Sequence, residues 1–110
     1  MGKFIITKRK DGEYQFNLKA GNGEIILTSE GYVAKSGCKN GIESVRVNSQ
    51  IDSRFERRTS TNDKDYFVLK AGNGEIIGKS QLYSTKLGME NGITSVKENA
   101  PTAEIIDETN

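Results

Sequence analysis

Tyr14, Phe16, Leu18 and Ala20 alternate with Gln15, Asn17 and Lys19, which is the period of a half-buried strand. Before them the run Phe4-Ile5-Ile6-Thr7-Lys8 ends in the polar stretch Lys8 to Gly12, so a first strand and a turn are expected there. After them comes Asn22-Gly23, a pair favoured in type I′ turns because both central residues need positive φ. That turn predicts Ala20 opposite Ile25, Leu18 opposite Leu27 and Lys19 opposite Ile26. It leaves Ile26 on the face away from the core. Past Tyr32 the period changes: Cys38, Gly41, Ile42 and Val45 recur at spacings of three and four, the stripe of an amphipathic helix. Ser36 is the N-cap choice for this helix and Asn48 its expected end.

The same pattern returns 51 positions later. Leu18 to Ile26 and Leu69 to Ile77 both read LKAGNGEII, and the offset carries Tyr32 to Tyr83, Asn40-Gly41-Ile42 to Asn91-Gly92-Ile93 and Asn48 to Asn99 without a gap. A constant offset through turns, apolar positions and a helix end identifies a tandem duplication. The second copy predicts a helix with Met89, Gly92, Ile93 and Val96 inward, Thr85 as N-cap and Pro101 beyond its end, and it sets Ile77 beside Ile26 on the outer face. Ile42 and Ile93 are expected to anchor the two helices. Gly41 and Gly92 imply a close approach between helix and sheet that a methyl group would block, since glycine inside a helix costs about 1 kcal/mol against alanine. Ile51 to Thr59 lacks Gly, Pro and Asn and alternates, with Phe55 as the counterpart of Phe4. It reads as one strand that closes the first unit and opens the second. Ala103 to Ile106 takes the corresponding place at the end. Residues 1–50 and 51–110 are thus two repeats of one compact domain, because a unit of about 50 residues buries too little surface alone.

The LKAGNGEII hairpin, the tyrosine after it, and the NGIxSVxxN pattern of residues 40–48 and 91–99 resemble the bacterial YegP-like family over nearly the whole chain, twice. The resemblance implies an α+β fold: tandem β-β-β-α-β units forming one antiparallel sheet, their last strands exchanged, with both helices on one face. It implies no catalytic residue, substrate or cofactor. Gly78-Lys79 stands where the first copy has Leu27-Thr28, so packing there is expected to differ between copies.

The chemistry offered by the side chains is sparse. The chain has no histidine and one cysteine, which removes the usual general base and any intrachain disulfide. Cys38 lies on the apolar stripe, where its twin is Met89, and reads as a core residue. Gly21-Asn22-Gly23 is followed by a strand rather than the helix of a phosphate loop. The carboxylates are scattered, so the expectation is a non-catalytic protein without metal or cofactor. No apolar run is long enough to cross a membrane, and the first residues read as a strand rather than a signal peptide. A monomeric, cytoplasmic protein is expected.

Two binding roles remain. The first 50 residues hold eight basic and five acidic side chains and the remaining 60 hold eight and ten, for a net charge of +1. That lacks the bias of a phosphate-tracking surface. The alternative is nucleic-acid binding through the sheet face, with Lys19, Lys70 and aromatic residues as a stacking platform, and through the basic strand ends, where Lys8-Arg9-Lys10 and Arg54, Arg57 and Arg58 come near one another if the two first strands lie side by side. The favoured expectation is a protein-interaction module using the helix-free sheet face or an edge strand, with Lys19, Ile26, Lys70, Ile77 and Arg57 as its surface and a protein as its partner.

Overall fold

Phe4, Ile6, Phe16 and Leu18 are fully buried, and their pairing sets the sheet. Strand β1 (Lys3–Lys8) runs antiparallel to β2 (Tyr14–Lys19), with Phe4 opposite Leu18 and Ile6 opposite Phe16. Opposed residues share a face, so these four form one apolar surface. The structure, a computed structural model, describes residues 2–109. Strand β3 (Ile25–Thr28) and helix α1 (Lys35–Asn48) complete the first copy; β4 (Phe55–Thr59), β5 (Asp65–Lys70), β6 (Ile76–Lys79) and α2 (Lys86–Asn99) repeat it, and β7 (Glu104–Asp107) ends the chain. The tandem β-β-β-α-β units form one sheet in the order β4-β5-β6-β3-β2-β1-β7. It is antiparallel except for β7, which runs parallel to β1.

The two halves meet where β3 and β6 pair, through Thr28 and Lys79 alone. Each helix lies over its own middle strand and reaches across this seam, α1 to β6 and α2 to β3. Ile42 and Ile93 sit in the shared core beside Val45 and Val96, as the helical stripe predicts. The seam also shows why the copies differ: a Cβ on Gly78 would stand 2.6 Å from the Leu27 side chain. Leu27 fills the space near the axis, and an equivalent leucine could not enter it. Gly41 and Gly92 have a related reason. The ring of Tyr32, stacked on Phe16, lies where a Cβ of Gly41 would be, and Tyr83 does the same at Gly92. The close neighbour is a tyrosine ring from the loop before the helix.

Three expectations change. The hairpin turn is not type I′. Only Gly23 has positive φ, the Gly23 amide donates to the Ala20 carbonyl, and the Ala20 amide donates to Glu24. This is a type I turn closed by a left-handed glycine, followed by a bulge that sets Lys19 opposite Ile25 and inserts Ile26 as the extra residue. The same bulge recurs at Leu69/Lys70. Ile26 and Ile77 are consequently 4% and 8% exposed and belong to the core. Second, Ile51 to Thr59 is not one strand: Asp52–Arg54 form a short 3-10 turn, and β4 pairs with β5 only. Exchange of last strands is therefore one-way, carried by β7 onto β1. Third, Thr85 caps α2 by accepting the Gly88 amide at 3.0 Å, but α1 starts at Ala34 with no side-chain cap, and Ser36 lies inside it.

Candidate interaction edge and sheet face

Besides the outer side of the short terminal strand β7, the sheet leaves two surfaces for a partner, its helix-free face and the outer edge of β4. Alternation from the core positions puts Lys19, Lys70, Lys79, Glu56 and Arg58 on the face. Lys19 and Lys70 stand on β2 and β5, three strand spacings or about 14 Å apart. Lys70 donates to Glu56 at 2.6 Å, Arg58 also pairs with Glu56, and Lys79 lies over the Tyr66 ring at 5.1 Å. The Lys70 hydrogen bond, reinforced by Arg58, holds the Glu56 carboxyl below the ordinary range. Lys70, Arg58 and Lys79 thus already have partners within the protein. The basic strand ends do not converge either: β1 and β4 are five spacings apart, about 24 Å, so Lys8-Arg9-Lys10 and Arg57-Arg58 make two separate sites.

The edge is different, and comparison with β1 shows how. On β1 the carbonyls of Gly2 and Ile6 accept the Glu104 and Glu108 amides of the β7 segment. Backbone groups alternate along a strand, so the corresponding groups of β4, 51 residues on, are those of Phe55, Arg57 and Thr59. The Phe55 amide is used by the preceding turn, donating to the Asp52 carbonyl. Among the described residues no strand lies beside the rest. The edge open to pairing therefore runs from the Phe55 carbonyl to Thr59.

Side chains along it form a groove of about 370 Å³ between β4 and α2, lined by Arg57, Arg58, Thr59, Asp65, Lys86, Met89 and Glu90. Arg57 makes two hydrogen bonds to Glu90, at 2.6 and 3.0 Å, and lies 3.6 Å from Asp52. That pairing keeps the Glu90 carboxyl low and raises the guanidinium. Asp52 is also held low, chiefly by its hydrogen bond from Lys97 at 2.8 Å. Lys86 makes no ion pair among the described residues. Its counterpart Lys35 pairs with Asp107 of β7 at 2.8 Å.

The residues singled out from sequence are thus dispersed. Lys19 and Lys70 are on the helix-free face, Arg57 is on the helix side of the edge strand, and Ile26 and Ile77 are inside. Lys86 was missed; its signal was the repeated lysine at positions 35 and 86. Among the described residues no three His, Cys, Asp or Glu side chains converge as a metal site would require. The Cys38 thiol is pushed up by burial and then by Asp107, the reverse of an activated thiolate. Among the described residues no helix is long and apolar enough to cross a membrane.

Comparison with known proteins agrees with this anatomy. The model of a domain of unknown function, DUF1508, matches residues 10–56 and again 60–107. The chain is 54% identical to a UPF0339 protein of Acinetobacter baylyi over 98% of its own length and 97% of that protein's, and 49% identical to the UPF0339 protein YegP of Escherichia coli over 98% of both. Among solved structures it is similar to the solution structure of a UPF0339 protein of Shewanella oneidensis, with a TM-score of 0.93 at 52% identity, covering 98% of this chain and 92% of that one. The solution structure of Escherichia coli YegP gives 0.94 at 49% identity, covering 98% and 93%.

Proposed function

The chain belongs to the YegP-like UPF0339 family as two tandem DUF1508 repeats, and we propose that it is a non-catalytic protein-interaction module, cytoplasmic and monomeric, that engages its partner through the open edge of β4. The observation that carries this reading is the unequal fate of the twin strands: β1 is covered by β7, while among the described residues no strand covers β4. An unpaired strand edge offers main-chain hydrogen bonds to an incoming segment and needs no special chemistry to bind it. Nucleic-acid binding through Lys19 and Lys70 has less support, since Lys70 is already paired within the protein and the basic strand ends are about 24 Å apart.

Affinity purification with the wild type and with Arg57→Pro tests the reading. Proline at an outward-facing edge position removes the donor without breaking the inner ladder. A protein retained by the wild type and lost with Arg57→Pro is expected. Equal retention by both would overturn the edge. In parallel, the intact protein is titrated with a mixed-sequence single-stranded oligonucleotide across salt. Binding that weakens steeply with salt and is abolished by Lys19→Ala with Lys70→Ala would replace the proposal with the nucleic-acid reading.

A further inference from the structure

The internal duplication supplies a template for what the β4 edge holds. At the other end of the sheet, β7 lies parallel to β1 with Glu104 opposite Lys3, Ile105 opposite Phe4, Ile106 opposite Ile5 and Asp107 opposite Ile6. Asp107 faces the helix side, where it meets Lys35 at 2.8 Å. Moving this register along by the repeat offset puts the same residue opposite Arg57 and facing Lys86. The groove lining the β4 edge matches this geometry: Arg57, Met89 and Lys86 there are the counterparts of Ile6, Cys38 and Lys35 around Asp107. Lys35 is half-buried and paired, whereas Lys86 is exposed and makes no ion pair among the described residues. Arg58 is turned to Glu56 on the helix-free face, so the cations that line the groove from the helix side are Arg57 and Lys86, and of these two only Lys86 makes no ion pair among the described residues. Glu90 is already taken by Arg57.

From this we infer that the β4 edge accepts an acidic extended segment of a partner protein, added as a strand parallel to β4, with its carboxylate opposite Arg57 and against Lys86. The inference rests on the interaction reading above and names the chemistry of its partner. The segment is short. The 3-10 turn already uses the Phe55 amide, so pairing begins at the Phe55 carbonyl and ends near Thr59. Few main-chain bonds form, and the charge contact must supply the selection. Arg57 has a second consequence at this edge. A charged side chain directed inward on an edge strand disfavours indiscriminate apolar pairing, so an apolar strand is refused where an acidic one is received.

The test is a titration of the intact, ¹⁵N-labelled protein with a blocked peptide Glu-Ile-Ile-Asp-Glu-Thr, which reproduces Glu104 to Thr109, and with the same peptide carrying lysine in place of its aspartate. Amide shifts at Arg57, Thr59, Lys86 and Glu90 are expected with the acidic peptide. Its affinity should exceed that of the lysine peptide by about tenfold, the factor that about 1.4 kcal/mol represents. Lys86→Glu should reverse the preference, binding the lysine peptide better, which loss of folding could not produce. Shifts confined to β1 and Lys35 would mean that the peptide only displaces β7, and would overturn the inference. Equal binding of both peptides at β4 would overturn the acid selection while leaving the interaction reading in place. Absence of any shift at β4 at millimolar peptide would overturn strand acceptance of this kind, even if affinity purification still returned a partner sensitive to Arg57→Pro.

Discussion

Strands β1 and β4 hold equivalent places in the two repeats and meet opposite fates. β1 reads Phe-Ile-Ile from Phe4 and is buried between β2 and β7, whereas β4 reads Phe-Glu-Arg-Arg from Phe55 and forms the end of the sheet. Both keep the phenylalanine, which packs edge-on against the middle strand's phenylalanine at 5.7 Å in one unit and 5.6 Å in the other. They part at the positions that only a covering strand would bury. The difference follows from chain connectivity: the residues after α2 are free to cross the molecule and cover β1, but those after α1 must become β4 itself. One strand of cover is available for two edges. The duplicated fold is therefore asymmetric: β1 is closed under β7, whereas its twin β4 is left as an edge.

The strongest way to break this comparison is to exchange the residues that mark it. Ile6 is fully buried, and Ile6→Arg would place an unpaired charge beneath β7, so chemical denaturation should show a loss of about 4 kcal/mol or more. The reverse change, Arg57→Ile, removes exposed ion pairs and should cost less than about 1 kcal/mol, while sedimentation should reveal new self-association at the unblocked edge. Similar losses for the two would mean that the edges are not distinct. The seam between the copies offers a second test of asymmetry. Gly78→Leu should cost about 1–3 kcal/mol through overlap with Leu27, and pairing it with Leu27→Gly should recover part of the summed loss in a double-mutant cycle. Strict additivity would show that Leu27 does not occupy that space.

The smallest expected effect concerns the closed end alone. The Asp107 carboxyl is held well below the ordinary carboxylate range, first by the hydrogen bond from Lys35 and then by Thr109. A folded value below the unfolded one of about 3.9 means that its stabilisation is complete above that pH and is lost as pH falls toward the folded value. Asp107→Asn should therefore lower stability at neutral pH, and the gap from wild type should close as pH falls below about 5. A gap that is constant with pH would assign the loss to something other than this charge.

Most elements were legible because their signals are local. An aromatic and β-branched run located β1, alternation located β2, the repeat offset carried that strand to β5, and the change of period at Cys38 and Met89 located the helices. The failures needed information that a local pattern lacks. An Asn-Gly pair suits both a type I′ turn and a type I turn ending in a left-handed glycine, since both need positive φ at Gly23; only the φ of Asn22 separates them. That one difference brought the bulge and moved Ile26 and Ile77 from the outer face into the core. The alternation through Ile51 to Thr59 could not reveal the turn at Asp52–Arg54, and nothing in it fixes where β4 sits in the sheet. The edge nevertheless had a signal in the alignment of the repeats: Arg57 stands where the first copy has Ile6. A buried apolar residue replaced by arginine marks the strand that lost its cover.

Amide hydrogen exchange of the free protein tests the central claim most directly, because Ile6 and Arg57 are the same position on the two strands and report in one sample. The Ile6 amide, inside the β1–β7 ladder, should exchange only on global unfolding or detachment of β7, whereas the Arg57 amide, facing outward from β4, should exchange close to the rate of an unprotected chain. Comparable protection of the two amides would contradict the open edge.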